Sequence, residues 1–239
     1  MGTAVLFAVI ASSALVIGGA LGAWRPPSKE LTAVLLAFAA GALITAVAFE
    51  LFEDAFAHGG AWRAGSAFLA GAAVFAVVDT WIDSRKEGKM SSGANSRAIG
   101  YALLAAVTLD GVPENLAMGV ALVDSANPTL LVAIFVSNLP EAIAGARKMR
   151  EAGQGAGSIM TIWCAAAVLL ALPVVIGFAA LEDVSDETLA IPLGFAAGAV
   201  LASLADTLMP EAYRDAHGNK WIAMATALGF LLSFLVSSA

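Results

Sequence analysis

Eight stretches of this sequence stay apolar for about 18 residues or more, the length at which a helix rising about 1.5 Å per residue crosses a hydrocarbon core about 30 Å thick. They cover approximately residues 2–23, 31–56, 61–82, 98–122, 129–146, 157–181, 188–212 and 220–237. A backbone in lipid must satisfy its own amide and carbonyl groups, and runs of this length do so as helices. The expected fold is therefore an all-α membrane protein, a single transmembrane domain over 1–239 with eight transmembrane helices. Composition agrees, because 60% hydrophobic against 13% charged residues and a mean hydropathy of +0.86 lie outside the range of soluble domains. The first run has no basic leader and is as long as the others, so it is expected to be a span and not a cleaved signal. The lone Cys164 rules out a disulfide framework or thiolate cluster and is expected to be a small buried hydrophobe.

Orientation follows from the bases, since cytoplasmic connections retain Lys and Arg. Connections one, three, five and seven hold Arg25 and Lys29; Arg85, Lys86, Lys89 and Arg97; Arg147, Lys148 and Arg150; and Arg214 and Lys220, eleven against the single Arg63 opposite. Both termini are expected outside or in the periplasm. The longest connection, 83–97, is expected to be a flexible cytoplasmic loop containing Ser, Gly and Lys. Compact connections favour a bacterial inner membrane.

The chain also repeats itself. Ala39-Ala40-Gly41-Ala42-Leu43, followed by Leu51, Asp54 and Ala55, matches Ala196-Ala197-Gly198-Ala199-Val200, followed by Leu208, Glu211 and Ala212, at a constant offset of 157. By the orientation above the two copies run in opposite directions, the mark of an inverted repeat built around a midplane site. Small-residue motifs also recur because they let helices approach closely, but the matched acids favour a true repeat. The stripe Gly18-Gly19-Ala20-Leu21-Gly22 permits either internal packing or a homodimer contact.

Two phrases, Val112-Pro113-Glu114-Asn115 and Leu139-Pro140-Glu141-Ala142, place a carboxylate beside proline inside apolar runs that contain no Lys or Arg. Each such charge costs roughly 2.5–3.5 kcal/mol near a helix centre, so an acid there calls for a cation or a proton relay. Asp110 and Glu114 are four apart and share a helical face, as do Ser137 and Glu141. Pro113 and Pro140 withhold the amide protons that would engage the carbonyls of Leu109 and Val136. Carboxylates, a serine, Asn138 and freed carbonyls together form an oxygen-rich central helix pair. Asp206, in the seventh run, is a further ligand candidate. Glu50 and Asp54 are candidates for an outer mouth and Glu211 for an inner exit. Asp79 is expected at an interface, Asn115 as a helix–helix contact, and His58 and His217 as solvated residues beyond the spans.

These residues resemble the ZIP (Zrt/Irt-like) family of divalent metal transporters, as a divergent bacterial-type member. The resemblance spans nearly the whole chain and rests on Asp110-Gly111-Val112-Pro113-Glu114-Asn115, on Ser137-Asn138-Leu139-Pro140-Glu141-Ala142, and on Asp206 with Leu208-Met209-Pro210-Glu211-Ala212. It implies a two-metal midplane site, with Asp110, Glu114, Ser137 and Glu141 around one ion. Glu114, Asn138, Glu141 and Asp206 would surround the second. The chain departs from the family where histidine becomes Asp110, asparagine becomes Gly111, and the glycines after each Pro-Glu become Asn115 and Ala142. An all-oxygen set weakens the preference for Zn²⁺ and raises that for Mn²⁺ or Fe²⁺, with Cd²⁺ a further candidate.

The resulting expectation is a carrier moving a divalent cation toward the cytoplasm, with the lipid bilayer and the cation as its partners, no nucleic acid and no enzymatic chemistry. Metal binding should displace protons from the crowded carboxylates and so depend on pH. The alternatives are a family member that senses metal without carrying it and a proton-coupled carrier of another solute. A membrane-embedded hydrolase is disfavoured, since it would want histidine at midplane.

Overall fold

The computed structural model describes residues 1–90, 96–124, 128–182, 184–214 and 220–238, and every regular element among them is helical. In chain order these are α1 (Gly2–Trp24), α2 (Lys29–Thr45), a π-helical segment (Ala46–Phe52), α3 (Glu53–Met90), α4 (Ser96–Asp124), α5 (Pro128–Glu151) and α6 (Ala156–Leu181). There follow α7 (Asp186–Ser203), a second π-helical segment (Leu204–Leu208), α8 (Met209–Arg214) and α9 (Trp221–Ser237). Six helical runs among the described residues are long and apolar enough to cross a membrane, and α9 is a shorter apolar helix. The protein is a multi-pass membrane protein.

The longest run, Lys29–Ile82, covers 54 residues and is not straight. Gly60 adopts φ 69°, ψ 177°, a left-handed conformation open to glycine, and breaks α3 there. Local chemistry sets other ends. Ser28 Oγ accepts the Leu31 amide at 3.2 Å and caps α2 after the Pro26-Pro27 turn. Gly153, at φ 84°, ends α5 in a Schellman turn, with the Gln154 amide donating to Met149 O and the Gly153 amide to Arg150 O.

The helices meet through glycines. A Cβ at Gly41 would overlap the Thr226 carbonyl and one at Gly229 the Phe38 carbonyl, so α2 and α9 touch backbone to backbone. The crossing of α3 with α7 has the same layout, with Gly198 against the Phe68 carbonyl and Gly71 against that of Phe195. The most extensive pairings are α3 with α7, α1 with α5, α2 with α9 and α4 with α6. Gly18 and Gly22 lie against the α5 backbone and Gly19 against Trp163, so the stripe expected to serve packing or a dimer is occupied inside the molecule.

Several expectations change. Residues 83–90, expected in a loop, continue α3, and α4 begins at Ser96; residues 91–95 lie outside the described residues, as does His217. Arg147, Lys148 and Arg150, assigned to a connection, sit in the last turns of α5, where their long side chains reach back to other helices. Arg147 Nη1 donates to Pro27 O at 2.6 Å and Arg150 Nη1 to Ala23 O, tying the end of α5 to the α1–α2 turn. Cys164 is exposed on α6 and not buried, because the buried face of that helix is set by Ile159, Trp163, Ala166, Ala167 and Leu170.

Candidate functional site

The Pro-Glu phrases lie within α4 and α5, whose helices continue through Pro113 and Pro140. Neither proline ends its helix, because neighbouring helices and side chains can support the interrupted ladder. On α4, Asp110 and Glu114 are both 7% exposed, and on α5 Ser137 and Asn138 are 1% exposed. Glu141 is partly buried. It lies within the electrostatic fields of Asp110, Glu114 and Glu211, with Lys148 as the opposing charge, and Glu114 feels Asp110 in turn. The sequence-expected acids thus share one neighbourhood between the two helices.

They do not close into a cage: among the described residues, no three His, Cys, Asp or Glu side chains converge on a common ion position. The individual partners explain this. Asp110 Oδ1 accepts a buried hydrogen bond of 3.0 Å from Ser203 Oγ at the end of α7. Ser137 gives its hydroxyl proton to the Ile134 carbonyl at 2.9 Å. Asn138 is the opposite case, with both Oδ1 and Nδ2 buried and without a partner. Buried amides ordinarily find partners, and leaving one unmet costs about 1–3 kcal/mol. Asn138→Leu, close in volume, is therefore expected to raise the thermal midpoint of the purified protein, checked by differential scanning fluorimetry in detergent; an unchanged or lower midpoint would show that the amide is already satisfied.

Gly111, read as a lost ligand position, faces α6: a Cβ there would overlap Leu170 Cδ1. The position serves packing, and its carbonyl accepts the Asn115 amide nitrogen Nδ2 at 2.8 Å. Asn115 is wholly buried, but its Nδ2 bonds within its own helix and its Oδ1 has no partner, so no hydrogen bond joins it to another helix as the helix-contact reading expected.

Both π-helical segments carry an acid, and such segments recur at functional sites. Glu50, 7% exposed, sits in the first and accepts a hydrogen bond from Ser237 of α9. Asp54 follows, half-buried, in the first turn of α3. Asp206 sits exposed in the second segment. It lines two cavities together with Asp79, one of about 580 Å³ with Phe75, Thr80 and Ser84, and one of about 180 Å³ that reaches Asp110. Asp79, expected at an interface, is partly buried and lines both cavities. Glu211 is engaged, its Oε1 accepting Lys148 Nζ at 2.7 Å, so it must be released before it can take another cation.

Sequence reasoning missed Ser203 and Lys148. Ser203 offered no signal, being one small residue in an apolar run. Lys148 did: seven residues after Glu141, it returns to the same helical face.

No protein-family model matches the chain, and no curated protein matches it.

Proposed function

We propose that this protein carries a divalent metal cation across the membrane toward the cytoplasm through the carboxylate-rich centre of α4 and α5, in the manner of the ZIP family it resembles. The observation that carries the reading is Asn138, a buried amide with both ends unpartnered, one turn before Glu141 in a neighbourhood of three further acids. Asp110, Glu114, Ser137, Asn138, Glu141 and Asp206 offer oxygen donors, which suit Mn²⁺ and Fe²⁺ well and Zn²⁺ or Cd²⁺ less selectively. Glu50 and Asp54 form the outer mouth, and Glu211 the inner exit.

The proposed topology is eight spans in two inverted repeats, in a bacterial inner membrane with both termini outside. Its support is geometric. The Gly60 break divides the longest run in two, and α9 supplies the last span. Exchanging α1 with α6, α2 with α7, α3 with α9 and α4 with α5 turns the principal helix pairings into one another. The two glycine crossings map together, since Phe38 and Gly41 have Phe195 and Gly198 as counterparts.

The test is uptake of Mn²⁺, Fe²⁺, Zn²⁺ and Cd²⁺ into proteoliposomes under an imposed gradient, with binding measured on the same sample. Saturable uptake of at least one ion is expected; uptake equal to empty liposomes for all four would overturn the reading. One observation favours the alternative of a metal binder that does not carry: Gly111 packs on Leu170, leaving α4 one donor short of the family set. Binding without uptake would select it.

A further inference from the structure

Four of the five buried polar side-chain atoms without a partner among the described residues belong to Ser12, Asn115 and Asn138, and the fifth is Trp163 Nε1. The three residues come from α1, α4 and α5, and they are 5%, 0% and 1% exposed. Packing brings them to one level of the molecule. Trp163 of α6 is wedged between Gly19 of α1 and Gly145 of α5, since a Cβ on either glycine would overlap its indole. α1 and α5 run in the same direction, with Gly18 against Ala142 and Gly22 against Ala146, and α6 returns beside α5 after the turn at 152–155. Two helical turns, about seven residues, separate Gly19 from Ser12, Gly145 from Asn138 and Trp163 from Leu170. Leu170 therefore lies between Ser12 and Asn138 as Trp163 lies between the two glycines. On a third side it meets Gly111 of α4, whose carbonyl holds the Asn115 amide.

Leu170 is wholly buried and offers neither a donor nor an acceptor, which is why the polar atoms around it go unmet. We propose that Leu170 plugs a pocket whose other walls are polar, and so limits the acidic centre to one bound cation. The limit on ion number rests on the metal-carrier reading, whereas the plug rests on the register of α1, α4, α5 and α6 alone. Asn115 adjoins Glu114, and Asn138 stands one turn before Glu141, so the plugged position borders the central carboxylates. A hard divalent ion exchanges its water only for oxygen ligands. Leucine supplies none, and its bulk keeps water from taking their place.

Two measurements separate the plug from the ion count. Leu170→Asn, close in volume, should hold or raise the thermal midpoint in detergent, because its amide gains Ser12 and Asn138 as partners. Leu193→Asn, as deeply buried but within the other apolar cluster, should lower it. A fall for Leu170→Asn as large as that for Leu193→Asn would overturn the plug. Mn²⁺ binding by equilibrium dialysis is then expected to rise about twofold in Leu170→Glu, from one ion per chain to two, as a carboxylate replaces the apolar wall. If Leu170→Glu fails to elute as a folded species, Leu170→Asn, which adds one oxygen donor, takes its place in the dialysis. Two ions on the parent, or one ion on parent and variant alike, would overturn the limit. No Mn²⁺ on either protein, with Leu170→Asn as stable as the parent, would remove the metal reading and leave the plug standing.

Discussion

Glu141→Ala is expected to reduce the proposed divalent-metal uptake to the level of empty liposomes while the protein remains folded. Glu141 shares its neighbourhood with Asp110, Glu114 and Glu211, although among the described residues these side chains do not converge on a common ion position as they stand. In the proposed reading, removing this carboxylate takes a ligand from between α4 and α5, at the loss of one partly buried side chain. The fold should tolerate the change because Glu141 is only partly buried, so little packing is lost. The check is paired: metal uptake and thermal midpoint on one preparation. Persisting uptake would detach the central carboxylate from transport, and a collapsed midpoint would show it to be a structural group.

The second large effect is on stability. Gly198→Ala is expected to destabilise by about 3 kcal/mol, at the upper end of the usual overpacking range, because the new methyl would overlap the Phe68 carbonyl, and neither the α3 backbone nor the α7 backbone can step aside. The same argument applies to Gly41 against the Thr226 carbonyl. Gly65→Ala is the control: nothing lies within 4 Å of the added atom, so helix propensity alone predicts a gain of roughly 0.5–1 kcal/mol. Thermal melts in one detergent distinguish them, and equal midpoints for Gly198→Ala and Gly65→Ala would mean that the crossing is looser than the geometry requires.

The features legible in the sequence were those that composition and spacing encode. Apolar length located most of the helices, although α3 runs on to Met90 and the second and third runs join in the single stretch Lys29–Ile82, and the i, i+4 spacing put Asp110 with Glu114 and Ser137 with Glu141 on common faces. The glycines at 41 and 198 announced close contacts, although not which carbonyls they would meet. Partner choice was illegible, because it depends on tertiary geometry: Asp110 with Ser203, Lys148 with Glu211, and Glu50 with Ser237 are each far apart in the chain. The π-helical segments were hidden too, since a shift in hydrogen-bond register leaves no compositional trace. The connection at 83–97 was misread because Asp83–Met90 is polar, and a polar stretch continues a helix as readily as it ends one once that helix leaves the lipid.

Arg147 and Arg150 link insertion to architecture. During synthesis, basic residues flanking a span bias which side of the bilayer it stays on. In the finished molecule these two have their guanidinium groups bonded to the carbonyls of Pro27 and Ala23. Editing them to reverse the topology would therefore also loosen the clasp that holds the end of α5 to the first hairpin, and a chain threaded the other way round would arrive without its fastening.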